Sequence, residues 1–168
     1  MKKTGGSRVY LGLGSNLGDR LKNLRQGVSA LSAHVHVDSM SAIYQSVPMY
    51  VEDQPSFYNA VVSGITDLKP AKLLAFLKKI EADMGRTESV HFGPRIIDFD
   101  ILFFDDLVLA SAELSVPHPQ LTERSFVLVP LADIAPKFVH PKLGVTISEL
   151  VRRRGDYSEQ VTKTNLIL

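Results

Sequence analysis

Residues 93–104 read GPRIIDFDILFF, a Gly-Pro turn followed by an apolar run that only Asp98 and Asp100 interrupt. Ile96, Ile97, Phe99, Ile101, Leu102, Phe103 and Phe104 are β-branched, aromatic or large aliphatic residues, the composition of a core strand. Side chains alternate across a strand, so both acids point to one face, their Cβ atoms about 7 Å apart from two rises of about 3.3 Å. Like charges at that separation repel, and low dielectric strengthens the repulsion. Basic side chains or exposure at the sheet end would offset it; so would one or two divalent cations held by oxygen ligands.

The rest of the chain limits the options. Its 168 residues predict one domain over 8–168, preceded by a flexible tail at 1–7. With 19 basic and 18 acidic side chains the net charge is +1, so no global field draws nucleic acid or an anionic membrane, and any phosphate site must be local. The absence of cysteine excludes disulfides, thiolate metal sites and cysteine nucleophiles. MKKTGGSRVY carries lysines but no apolar segment after them, and no run is long enough to span a bilayer; the expectation is a cytoplasmic monomer.

Strand-like and helix-like stretches alternate. Arg8–Leu13 reads as a strand, and GSNLGD turns into a helix with Leu21, Leu24, Val28 and Leu31 at helical spacing. In Gly12-x-Gly14 the glycines suggest a tight strand-to-helix turn. Val37–Ser46 and Phe57–Ile65 read as strands, with the Pro-bounded loop VPMYVEDQP between them. Pro70 opens a helix with Leu73, Leu74, Leu77, Ile80 and Met84 on its buried stripe, and Gly85 ends it. After GPRIIDFDILFF the chain turns at Asp105-Asp106, and LVLA is expected to run back as a hairpin. Short helices are expected near 120–132 and 147–153. The order β-α-β-β-α-β predicts an α+β, ferredoxin-like antiparallel sheet, with the first and third strands central and the Asp98/Asp100 strand fourth. Two helices cover one face and the C-terminal helices the other, giving three α-β-α layers.

Candidate partners surround the acids. Arg86 and Arg95 bracket the irregular stretch TESVHF, and two guanidinium forks beside a DxD suit a polyphosphate whose oxygens bound magnesium leaves uncovered. VPHPQLTERSF adds Ser115, His118 and Arg124. Phe57 and Asn59 share a strand face, an aromatic plate beside an amide that both donates and accepts, as a flat heterocycle with mixed edges requires.

Taken together, GSN, DQPSFYNAV, the run from MGR to FGPRIIDFDILFF, and VPHPQLTERSFVLVPLADIAP resemble the 6-hydroxymethyl-7,8-dihydropterin pyrophosphokinases of folate biosynthesis over about residues 8–150. The resemblance implies an ATP- and magnesium-dependent transferase that moves pyrophosphate to the pterin hydroxymethyl group and releases AMP. Two magnesium ions would sit on Asp98 and Asp100, and the polyphosphate on Arg86 and Arg95. Phe57 and Phe126 would sandwich the pterin, Asn59 would meet its ring edge, and the 46–49 loop, Ser46 and Met49 included, would supply further contacts. Ser115, His118 and Arg124 fall at nucleotide-contacting positions. Phe92, Phe99 and Pro119 depart from the family's usual residues, the first two keeping an apolar plate, the third lacking a hydroxyl. A two-metal nucleotidyltransferase of the palm type and a non-catalytic ferredoxin-like binding module remain the alternatives.

Overall fold

A computed structural model describes residues 5–49, 53–85 and 94–168; Arg86, Phe92 and the TESVHF stretch lie outside the described residues. The elements follow in chain order as β1 (Ser7–Ser15), α1 (Arg20–Leu31), β2 (Val35–Met40), β3 (Tyr44–Ser46), β4 (Phe57–Thr66) and α2 (Pro70–Asp83). Then come β5 (Asp98–Phe104), β6 (Leu109–Ala110), β7 (Ser115–Val116), α3 (Ser125–Ile134), α4 (Ile147–Arg154) and β8 (Val161–Lys163). Among the described residues a six-stranded sheet runs β5-β1-β4-β3-β8, with β2 also on β4. Its β1 and β4 lie side by side and β5 flanks β1, as the ferredoxin-like reading predicts.

Local chemistry sets the helix limits. Asp19 accepts from the Lys22 amide and caps α1; Pro70 starts α2, whose missing amide costs nothing in a first turn. Gly85, at φ +91°, carries the chain out of α2 through the left-handed region that glycine enters without strain. Helices α1 and α2 bury Leu24, Leu31, Leu73, Leu77 and Ile80 against Val9, Leu11, Leu13, Phe99 and Ile101. On the opposite face α3 and α4 bury Leu128, Leu131, Ile147 and Leu150 against Tyr10, Val61, Leu102 and Phe103. A bulge opposite Tyr10/Leu11 lets Leu102 and Phe103 both join this second core, and Phe104 returns to the first. Among the described residues no helix is long and apolar enough to cross a membrane.

Four expectations change. The stretch Val37–Ser46 is broken into β2 and β3, because the Ser41 hydroxyl takes the hydrogen bond of the Val61 amide (2.9 Å) and the Ala42 amide turns to Asp133 (3.3 Å). LVLA does not fold back on β5: Leu109 and Ala110 pair with Val116 and Ser115 instead. Asp105 is held to β1, its carboxylate accepting from the Arg8 amide (2.9 Å) and its own amide donating to the Arg8 carbonyl (2.7 Å), which directs the chain away from the sheet. Gly12 and Gly14 lie within β1, and the turn is made downstream around Gly18 at φ +71°. Phe99 belongs to the α1–α2 core, its ring packed beneath Gly27 of α1, so it is no plate of a cavity on the other face.

The buried His140 holds a turn together: its Nδ1 accepts from the amides of Lys142 (3.2 Å) and Leu143 (3.1 Å). Burial, aided by Lys142, pulls its pKa below the ordinary histidine value. The folded chain therefore takes this proton less readily than the unfolded chain, and stability falls as pH drops through about 6.5. Melting temperatures from pH 7.5 to 5 should decline accordingly. A His140→Asn variant should melt lower at pH 7.5 and show a shallower decline; an unchanged slope would remove His140 as a source.

Candidate active site

Directly opposed residues of an antiparallel sheet share a face. On the α3 side, Asp98 is opposite Gly14 and Gly14 opposite Asn59; in the next row Asp100 is opposite Gly12 and Gly12 opposite Val61. The two glycines remove side chains from the middle strand, so a trench about 10 Å wide, two strand spacings, opens between β4 and β5 with backbone as its floor. A Cβ on Gly14 would lie 3.0 Å from Asn59 Oδ1 and 3.5 Å from the Phe57 ring, closing the trench from below.

This trench is the floor of a cavity of about 280 Å³, lined by Ser46, Met49, Phe57, Asn59, Arg95, Asp98, Asp100, His118, Arg124 and Phe126 together with Gly12 and Gly14. Of the sequence-predicted residues, Ser115 stands apart from it, in an adjoining depression that shares Asp100 and His118 with the cavity and also holds Pro119. Arg86 lies outside the described residues.

Each wall is held by identifiable bonds. Asn59 is buried, and its amide nitrogen donates to the Ser46 hydroxyl (2.6 Å), which leaves Oδ1 toward Gly14 and the cavity. The Ser46 side chain thus orients Asn59. On the opposite wall His118 Nε2 lies 3.7 Å from one oxygen of Asp100, and Arg124 Nη1 lies 3.9 Å from the other. His118 Nδ1 accepts from the Gln120 amide (3.2 Å), so the neutral ring carries its proton on Nε2. Burial, with the charge of Arg124 adding to it, pulls His118 down to about 4; the ring is neutral at pH 7 despite the nearby carboxylate. Arg124 is itself buried, and its guanidinium also donates to the Gln120 side chain.

Arg95 reaches the rim through Asn16, whose position in GSN carries no assigned role in the sequence reading. Asn16 is 1% exposed. Its Oδ1 accepts from the Arg95 amide (2.7 Å), its own amide donates to the Arg95 carbonyl (3.0 Å), and its Nδ2 donates to Gln54 Oε1 (2.9 Å) and the Pro55 carbonyl (3.0 Å). One side chain thus ties the loops before β4 and β5 to the end of β1. Gly12, Gly14 and Gln54 also line the site, with no role there assigned to them from sequence. The G-x-G spacing marked the glycines, but only strand register shows that they face the acids.

Among the described residues no three His, Cys, Asp or Glu come together as a metal cluster. Two half-buried carboxylates on one wall, facing side-chain-free backbone, nevertheless suit magnesium, which binds through one or two carboxylates and fills its remaining positions with water and phosphate oxygens.

The family model described as 7,8-dihydro-6-hydroxymethylpterin-pyrophosphokinase (HPPK) matches residues 10–136. The 2-amino-4-hydroxy-6-hydroxymethyldihydropteridine pyrophosphokinase of Bacillus subtilis (strain 168) is 46% identical over 128 residues, 75% of this chain and 77% of its own length. That of Aquifex aeolicus (strain VF5) is 41% identical over 133 residues, 79% of this chain and 83% of its own. The folic acid synthesis protein FOL1 of Dictyostelium discoideum is 46% identical over 146 residues, 87% of this chain, and the chain spans 22% of that protein's length. In fold, the crystal structure of Plasmodium falciparum HPPK-DHPS A437G with pteroate superposes with a TM-score of 0.76 at 19% identity, over 97% of this chain and 47% of the other.

Replacing Asn16 with alanine would leave the Arg95 amide and the Pro55 carbonyl without their partner, at a cost of about 1–3 kcal/mol. Urea unfolding should show that loss, and amide exchange at Arg95 should accelerate. Wild-type exchange there would mean that the loop is held by other contacts.

Proposed function

The chain belongs to the 7,8-dihydro-6-hydroxymethylpterin-pyrophosphokinase family, and from that membership we propose that it transfers pyrophosphate from ATP to the hydroxymethyl oxygen of 6-hydroxymethyl-7,8-dihydropterin, releasing AMP. The observation that carries this reading is the row Asn59–Gly14–Asp98 across three strands. It sets a donor–acceptor amide at one wall, a flat backbone floor in the middle and a carboxylate at the other wall, about two strand spacings away. A bicyclic heterocycle lying on that floor meets Asn59 Oδ1 with one edge and directs its opposite substituent toward the acids. Phe57 and Phe126 supply aromatic faces for the ring, and Met49 borders it.

Asp98 and Asp100 are the residues that would hold two magnesium ions. When bound, magnesium supplies positive charge to the polyphosphate oxygens and orients them for in-line displacement. Arg95 and Arg86 serve the same polyphosphate, and Ser115, His118 and Arg124 the nucleotide. His118, neutral with its proton on Nε2, donates without adding charge. The hydroxymethyl oxygen forms a bond to the β-phosphorus, the bond from that phosphorus to the bridging oxygen breaks, and AMP leaves with that oxygen while the hydroxyl proton is released. The strand fixes the carboxylate spacing in advance, so little reorganisation is left for the transition state.

AMP should form from ATP only when both magnesium and the pterin are supplied; pyrophosphate as the released product would instead mark a nucleotidyltransferase. Asp98→Asn and Asp100→Asn should each lower kcat more than about a hundredfold, since metal-borne charge is worth several kcal/mol. Both variants keeping near-wild-type rates would sink the metal role.

Gly14→Ala tests the floor separately. The added methyl should raise KM for the pterin about tenfold or more, equivalent to about 1.4 kcal/mol, with KM for ATP little changed. Equal effects on both substrates would place the heterocycle elsewhere.

A further inference from the structure

Residues 137–168 lie beyond the stretch matched to the family, yet part of this segment returns to the cavity wall. Strand β8 pairs antiparallel with β3, Val161 opposite Ser46 and Lys163 opposite Tyr44. The segment is anchored beyond β8 as well: the Thr164 amide (3.0 Å) and hydroxyl (2.7 Å) both donate to the Ile43 carbonyl, and Leu166 and Leu168 pack on the first core.

The residue entering β8, Gln160, reaches two walls of the cavity. Its backbone carbonyl accepts from the amide of Val47, which lines the cavity beside Ser46 (3.2 Å). Its side-chain Oε1 accepts from the Ser125 hydroxyl (3.2 Å) and from Arg154 Nη2 (3.4 Å). Ser125 is 2% exposed and stands between the cavity residues Arg124 and Phe126; Arg154 Nε also donates to its hydroxyl (3.0 Å). Behind these bonds Val161, Tyr44 and Val129 form a small apolar cluster against which Phe126 and Tyr157 pack. The Val47 rim and the start of α3 have no sequence proximity, and Gln160 joins them.

We propose that Gln160 is a positioning residue for the heterocycle half of the site: it latches the Val47 rim to the α3 terminus that carries Phe126, and so holds the two sides of the ring slot at their working separation. The inference rests on the reading of the substrate as a pterin. The Val47 end of the latch carries no residue placed at the metal or nucleotide; at the other end Ser125 adjoins Arg124 as well as Phe126, but Arg124 is held separately by the Gln120 side chain, so the larger effect falls on the heterocycle. Its size follows from population: if breaking the latch leaves the competent slot formed about a tenth of the time, apparent pterin affinity falls about tenfold.

Three variants and two readouts test it. Gln160→Ala removes the Oε1 acceptor and Ser125→Ala removes its partner, whereas Gln160→Glu keeps an oxygen for both Ser125 and Arg154. The first readout is amide exchange at Val47 and Phe126 in the ligand-free protein, which needs no substrate. Exchange should accelerate in both alanine variants and stay near wild type in Gln160→Glu. The second is steady-state kinetics, with KM for the pterin rising about tenfold in the alanine variants, KM for ATP and kcat within about twofold, and Gln160→Glu restoring the wild-type value. Unchanged exchange in the alanine variants overturns the latch whichever substrate the site takes. Accelerated exchange with an unchanged pterin KM, or with equal losses for pterin and ATP, overturns its positioning role. Altered exchange in a protein that forms no AMP even as wild type overturns the proposed function and leaves the latch standing.

Discussion

Two carboxylates on one face of one strand are the constraint around which the rest of this molecule is arranged. Their spacing is set by the strand rise and cannot relax without losing the β1–β5 register, so their repulsion must be answered from outside. Part of the answer is local. Arg124 approaches one oxygen of Asp100 and the neutral His118 the other. The same strand turns Phe99 and Ile101 into the opposite core, so side chains two residues apart line the cavity and the residues between them serve packing.

The cavity exists because of what β1 lacks. Glycines at 12 and 14 face the acids on one side and Asn59 and Val61 on the other, and a side chain at Gly14 would meet Asn59 and Phe57. Glycine inside a strand ordinarily weakens it. Here β1 is paired along both edges and its neighbouring positions Leu11 and Leu13 are buried in the first core, which offsets the loss. A flat floor is thus obtained where the flanking strands already supply ladder bonds on both sides.

Polar side chains then set the cavity's edges. Asn16 binds the loops before β4 and β5 to the end of β1, and Ser46 turns the Asn59 amide. These bonds are short and largely shielded from water, where an unmet donor or acceptor is costly, so the loops are held without apolar burial of their own. Tyr44 shows the same economy further out: its hydroxyl donates to Asp133, and burial together with that carboxylate raises its pKa well above the usual phenol range.

The β-α-β-β-α-β order was legible in the sequence because it rests on periodicity and on caps. The alternation in DFDILFF, the helical spacing of Leu73, Leu77 and Ile80, and the Pro70 and Gly85 limits each act over a few residues, and the fold follows these signals. Local chemistry singled out Asp98, Asp100, Phe57, Asn59 and Arg95, the resemblance gave them roles, and the tertiary structure sets them around one cavity. What the linear chain could not reveal depends on partners far away in sequence. The break at Ser41 comes from Val61 and Asp133, the lost hairpin from the tie between Asp105 and Arg8, and the glycine floor from register with β4 and β5. Asn16 and Gln160 look like ordinary polar residues until the loops they join are brought together. Sequence by itself determined which faces are apolar and where the first two helices begin and end, because those are short-range properties of the chain; tertiary structure alone decided where strands break and which backbone groups meet across the sheet, because register and loop closure are set by the simultaneous burial of both cores.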